Sequence, residues 1–205
     1  MDLKGFEKIG YFELNTKPSK TLISKVILKK EKRIGGHVYA LVVNNVVKKI
    51  GCSVTRVNNF AGYSVGNGGQ PSDRTTGIHY YIAKELLFGN QVEFWISMCP
   101  KIKNIQIIDL YGEEHITESF MNEKTLEEIN LKSYYKKHGT YPEWNKQEQG
   151  RKNDWCDEVK QITISFKTKQ IIPHDSSKKY GTIMQLYHWK YNNIDIFTKE
   201  SEDSV

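Results

Sequence analysis

The sequence predicts an α+β domain: a small, largely antiparallel sheet flanked by helices, with β-containing extensions at both ends. Three observations predict it. His37 to Ser53, HVYALVVNNVVKKIGCS, has two apolar runs around Asn44-Asn45, the pattern of a β-hairpin. NEKTLEEINLKSYYKKHG is acidic in its first turns, basic in its last and closed by Gly139, which is helix punctuation. Short β-branched or alternating runs bounded by Gly or Pro fill much of the rest.

Taken in order, residues 1–36 form a lysine-rich extension in which TLISKVILKKEKR supplies a strand. Gly35-Gly36 breaks the chain before the hairpin. A polar, glycine-rich insertion spans 54–77, too irregular for a strand or a long helix. IHYYIAKELLFGN has helical spacing and a stop at Gly89. QVEFWISMCP is a strand closed by Pro100, and KNIQIIDLYG a second strand ending at Gly112. The helix ending at Gly139 follows, then the turn TYPEWN. Residues 147–205 form a C-terminal extension with a strand in EVKQITISF, a short run KQIIP, a helix in YGTIMQLYHWKYN and a fraying acidic tail. The core is thus expected over 37–146.

Of 205 residues, 30 are Lys or Arg and 24 Asp or Glu, a net charge of +6 that draws polyanions such as DNA. Cys52, Cys99 and Cys156 lie far apart with no CxxC or Cys/His cluster, which argues against zinc and against a disulfide framework. Neither a signal-peptide run nor about 18 uninterrupted apolar residues occurs, so a soluble, cytoplasmic protein is expected. GNGG at 66–69 lacks the Gly-Lys-Ser/Thr of a phosphate loop. It reads instead as a segment that orders on substrate.

The ordered set His37-Val38-Tyr39, Lys49-Ile50-Gly51, Arg74 with His79, Glu128-x-x-Leu131 and Asn145 resembles the GIY-YIG nuclease superfamily over roughly 36–146. Within it the chain is similar to type II restriction endonucleases. Lysine replaces the tyrosine of the second motif, and the glycine-rich insertion lies between that motif and the arginine. The resemblance implies a Mg²⁺-dependent, sequence-specific endonuclease acting on double-stranded DNA as a homodimer, with a companion DNA methyltransferase as a functional partner. The alternatives are a homing or repair nuclease of the superfamily, or a non-catalytic DNA-binding module.

The resemblance also implies roles for individual residues. Tyr39 is the general base, with Lys49 favouring its phenolate. Arg74 holds the phosphate, with Arg56 as its rival. His79 relays a proton or steadies Tyr39. Glu128 binds the metal, with Glu127 as its rival, and Asn145 ties the glutamate helix to the loop. Strict pairing across a two-residue turn would put Tyr39 opposite Ile50 and Lys48 on its face. A bulge or longer loop would restore Lys49. The C-terminal extension is a candidate for DNA contact (Gln185, His188, Lys190) or for dimerisation. A PD-(D/E)xK reading of Glu158-Val159-Lys160 fails on its upstream acid, since Asp109 is distant and Asp154 too near.

Overall fold

The computed structural model of the chain describes residues 3–14, 23–27, 35–54, 73–151, 154–157, 159–160 and 163. Its elements are β1 (Glu7–Leu14), β2 (Ile23–Ile27), β3 (His37–Val43), β4 (Val46–Ser53), α1 (Asp73–Leu87), β5 (Val92–Met98), β6 (Lys101–Ile108), β7 (Glu114–Phe120) and α2 (Glu123–His138). Five strands form one antiparallel sheet in the order β2-β1-β5-β3-β4, and β6 pairs with β7 as a separate hairpin. The architecture is α+β, as the sequence predicts. No helix among the described residues is long and apolar enough to cross a membrane.

Strand β3 explains why HVYALVV is an apolar run and does not alternate. All seven of its residues are buried, because a helix covers each face of the sheet. Tyr39, Leu41 and Val43 share one face with Val92, Phe94 and Ile96 and pack against Ile78, Ile82 and Ala83 of α1. Val38, Ala40 and Val42 join Val47 and Ile50 on the other face, under Leu131 of α2.

The β3–β4 hairpin has both features that the sequence offered as alternatives. Asn44 and Asn45 have φ of 46° and 66°, so they close a two-residue turn of the primed type, with Val43 opposite Val46. One residue of β4, Lys48, is then squeezed out as a bulge: Val42 pairs with Val47, yet Leu41 pairs with Lys49. Beyond the bulge Tyr39 lies opposite Gly51, and Lys49 falls on the Tyr39 face.

Four elements differ from the sequence reading. Strand β1 was not expected; it bridges β2 to β5 and carries the N-terminal extension into the main sheet. Helix α1 starts at Asp73, inside the stretch read as insertion, so Arg74 is in its first turn and His79 one turn later. EHITESF, too polar to stand out, is β7. EVKQITISF was expected as a strand, but Asp157, Val159, Lys160 and Thr163 are helical. The Lys160 N–H donates to the Cys156 carbonyl at 3.2 Å, and the Thr163 hydroxyl to the Val159 carbonyl at 2.8 Å. The cause is tertiary: Trp155, Val159 and Thr163, spaced by four, are all buried, and the first two join the α1 core. Gly77 makes room, since a Cβ there would strike the Trp155 ring. Arg56, the GNGG segment, Glu158, KQIIP, Gln185, His188 and Lys190 lie outside the described residues.

The Tyr39 side chain lies across Gly51, where a Cβ would collide with its hydroxyl and ring. Gly51→Ala is therefore expected to displace Tyr39 and cost about 1–3 kcal/mol, read as a lowered urea midpoint.

Candidate active site

Among the described residues, β4 is the outer strand of its sheet, and an open edge leaves main-chain groups unpaired. The turn after α2 fills that role. Asn145 accepts the Ile50 N–H through Oδ1 at 2.8 Å and donates through Nδ2 to the Ile50 carbonyl at 2.9 Å. The Trp144 N–H donates to the carbonyl of the bulged Lys48 at 2.8 Å, and the Lys48 ammonium pairs with Glu143 at 2.6 Å. Residues 143–145 thus behave as a surrogate strand. Lys48 is held outward by its acid, while its neighbour Lys49 turns inward.

A cavity of about 530 Å³ opens beside this edge. Of the residues expected to act together, Tyr39, Lys49, Arg74 and Asn145 line it. His79 does not; it is buried within α1. Glu128 does not either. Its side chain is 63% exposed and pairs with Lys132 at 2.6 Å, which holds the carboxyl below its usual range. The cavity wall carries Glu127 instead. Successive helix residues point about 100° apart, so the two glutamates cannot share an outlook. Glu127 lies one turn before the buried Leu131 and so faces the sheet.

The wall is electropositive: Lys49, Arg74, Lys124 and Lys146 face Glu127 and Glu148. Among the described residues none of these four cations has a carboxylate within ion-pair distance. Lys49 is only 7% exposed. Burial, and then the Arg74 guanidinium, lower its ammonium to about 8, against the opposing pull of Glu148 and Glu127. Cys52 also lines the cavity; burial and then its hydrogen bond to the Glu127 carboxylate push its thiol up to about 12.

Sequence reasoning missed Lys124, Lys146 and Glu148. Lys146 follows the Trp-Asn pair, and its ammonium sits 5.8 Å from the Tyr81 ring centre and 5.5 Å from that of Trp155. Trp144, which lines the cavity, stacks on Tyr81 at 5.6 Å.

The donor set fits a hard divalent cation. Glu127 and Glu148 offer carboxylate oxygens, the ligand type that hard divalent cations take. A separate group, Asp109, Glu113 and His115, has ligand atoms within 4.8 Å of one another at the β6–β7 turn, and none of it lines the cavity.

No family model and no curated protein matches the chain. Among solved structures, a mutant of bacteriophage T4 EndoII matches at a TM-score of 0.44 and 19% identity, covering 68% of this chain and 90% of its own. Restriction endonuclease HPY188I in complex with product DNA matches at 0.34 and 21% identity, covering 68% and 79%. Neither likeness is close enough to carry an argument, so the chemistry rests on the cavity itself.

Because Lys49 titrates lower when folded than when unfolded, the unfolded chain binds more protons between about pH 8 and 10.5. Stability from this group therefore rises with pH through that window, and below it the buried ammonium costs about 3 kcal/mol. Lys49→Met is expected to raise the urea midpoint at pH 7, with the gain shrinking as the pH climbs from 8 towards 10.5.

Proposed function

We propose that the chain is a Mg²⁺-dependent endonuclease that hydrolyses phosphodiester bonds in double-stranded DNA at this cavity. The finer reading is a sequence-specific enzyme similar to the type II restriction endonucleases of the GIY-YIG superfamily. It would act as a homodimer in the cytoplasm beside a companion DNA methyltransferase. The observation that carries the proposal is the meeting of Tyr39, Lys49, Arg74 and a helix-borne carboxylate, Glu127, around one cavity that Asn145 closes. The net charge of +6 supports a polyanionic substrate.

Each residue has a task that phosphodiester hydrolysis requires. The Arg74 guanidinium, with no carboxylate within ion-pair distance among the described residues, binds two phosphate oxygens at once. Tyr39 takes the proton of the attacking water. A phenol must lose about 3 pKa units, or roughly 4 kcal/mol, to do so at neutral pH, and a buried cation on the same sheet face acts in that direction. Lys49 is that cation, and with an ammonium near 8 it is still charged at neutral pH. Glu127, and not the Glu128 of the sequence reading, would hold Mg²⁺, with Glu148 as a second oxygen donor in the wall. The bound ion would neutralise charge on the phosphate and acidify its water. Lys124 and Lys146 add positive charge along the path of the backbone.

The test is plasmid cleavage with Mg²⁺ and with chelator. The proposal predicts discrete fragments, abolished by chelator and reduced at least about 100-fold by Tyr39→Phe and by Arg74→Ala. The rate is also expected to fall at alkaline pH once Lys49 loses its proton, above its resting value of about 8 because the Tyr39 phenolate holds the ammonium charged. Salt-sensitive DNA binding with no cutting in Mg²⁺ or Mn²⁺ would instead make the chain a DNA-binding module.

A further inference from the structure

The four cations of the cavity wall differ in how they are held. Arg74 and Lys124 are exposed, and Lys49 is buried. Lys146 is half-buried, and no carboxylate lies within ion-pair distance of it among the described residues. Its ammonium rests instead 5.8 Å from the Tyr81 ring centre and 5.5 Å from that of Trp155. The two rings are themselves 6.1 Å apart and tilted by 34°. Ring faces attract a cation but carry no charge to cancel it. A carboxylate in their place would neutralise the lysine, whereas this seat leaves its charge to the cavity.

Two separate parts of the chain build the seat. Tyr81 belongs to α1, and Trp155 is brought back against Gly77 of the same helix. The main chain at Lys146 is tied as well: the Arg151 N–H donates to the Lys146 carbonyl at 2.7 Å, and Asn145 before it holds β4. Arg74 and Tyr81 are seven residues apart in α1, nearly two full turns, so they share a helix face about 10 Å apart along the axis. A lysine over Tyr81 therefore extends the cationic track that Arg74 begins.

We infer that Lys146 is a substrate-binding residue that grips an uncut phosphate beside the scissile one, with the Tyr81 ring as its positioning residue. This rests on the nuclease reading and assigns a second phosphate of the same strand to the cavity. A contact to uncut backbone is made equally in the ground and transition states. Its loss therefore raises KM and leaves kcat, which depends on Tyr39, Arg74 and the carboxylates, as it was.

Binding of the full chain to duplex DNA in chelator, followed across salt concentrations, tests this with Lys146→Ala, Lys146→Arg, Tyr81→Leu and Tyr81→Phe, each checked for folding by circular dichroism. Lys146→Ala is expected to reduce the slope of log affinity against log salt by about 0.9, one phosphate contact, and Lys146→Arg to restore it. Tyr81→Leu keeps the charge, so the slope holds while affinity falls roughly three- to tenfold. Tyr81→Phe keeps the ring and is expected to bind as the wild type does. An unchanged slope in Lys146→Ala would reduce the lysine to a fastener of the returning segment and overturn the contact. Wild-type affinity in Tyr81→Leu would overturn the seat, and the Lys146 variants decide the contact even where Tyr81→Leu does not fold. A neutral methylphosphonate, moved along the strand, should weaken the wild type but not Lys146→Ala at one position beside the cut; coincidence with the cut phosphate itself would overturn the assignment. Cleavage is scored separately: a phosphate contact without cutting fails only the nuclease reading, and cutting with an unchanged slope fails only the contact.

Discussion

The two hydrogen bonds between the Asn145 amide and the main chain of Ile50 govern the arrangement of the cavity. They close the outer edge of β4 immediately after Lys48 is displaced as a bulge. Breaking them would leave a buried N–H and a buried carbonyl without partners, each worth roughly 1–3 kcal/mol. They also fix the two residues flanking Ile50. Lys49 is turned into the wall, and Gly51 lies under the Tyr39 ring. Without the bulge, the period of two along a strand would send Lys49 to the α2 side and Lys48 to the cavity side.

The two helices then complete the wall from opposite faces of the sheet. Helix α1 brings Arg74 in its first turn, and α2 brings Glu127 one turn ahead of the Leu131 anchor. The chain segment beyond Asn145 returns to pack Trp155 against Gly77 of α1, and Lys146 is held over the Tyr81 and Trp155 rings. The cost concentrates at Lys49, a buried cation beside another cation, with two carboxylates as the opposing influence. A wall with four cations against two carboxylates gains when an anion enters.

The sequence disclosed the parts whose signals are local. Asn44-Asn45 announced the primed turn, Gly139 the end of α2, and Gly89 the end of α1, each through residues suited to positive φ. The bulge was undecidable, because its cause lies about 95 residues away, in the Trp144 and Asn145 bonds to β4. The sequence does not separate the neighbouring glutamates for a related reason: Glu-x-x-Leu and Glu-x-x-x-Leu are both helical spacings, and only the packing around Leu131 puts Glu127 in the cavity wall. The C-terminal strand failed because β-branched residues around Trp155 and Val159 yield to burial against α1. Strand β7 was hidden by its charges, which suit a hairpin outside the core.

Metal binding distinguishes the two glutamates most directly. Mn²⁺ paramagnetic resonance on a complex with a duplex that cannot be cleaved, comparing wild type, Glu127→Gln and Glu128→Gln, tests whether the cavity is the reacting centre. The geometry predicts that Glu127→Gln loses the bound ion and Glu128→Gln binds as the wild type does. Loss of the ion in Glu128→Gln with retention in Glu127→Gln would contradict the account.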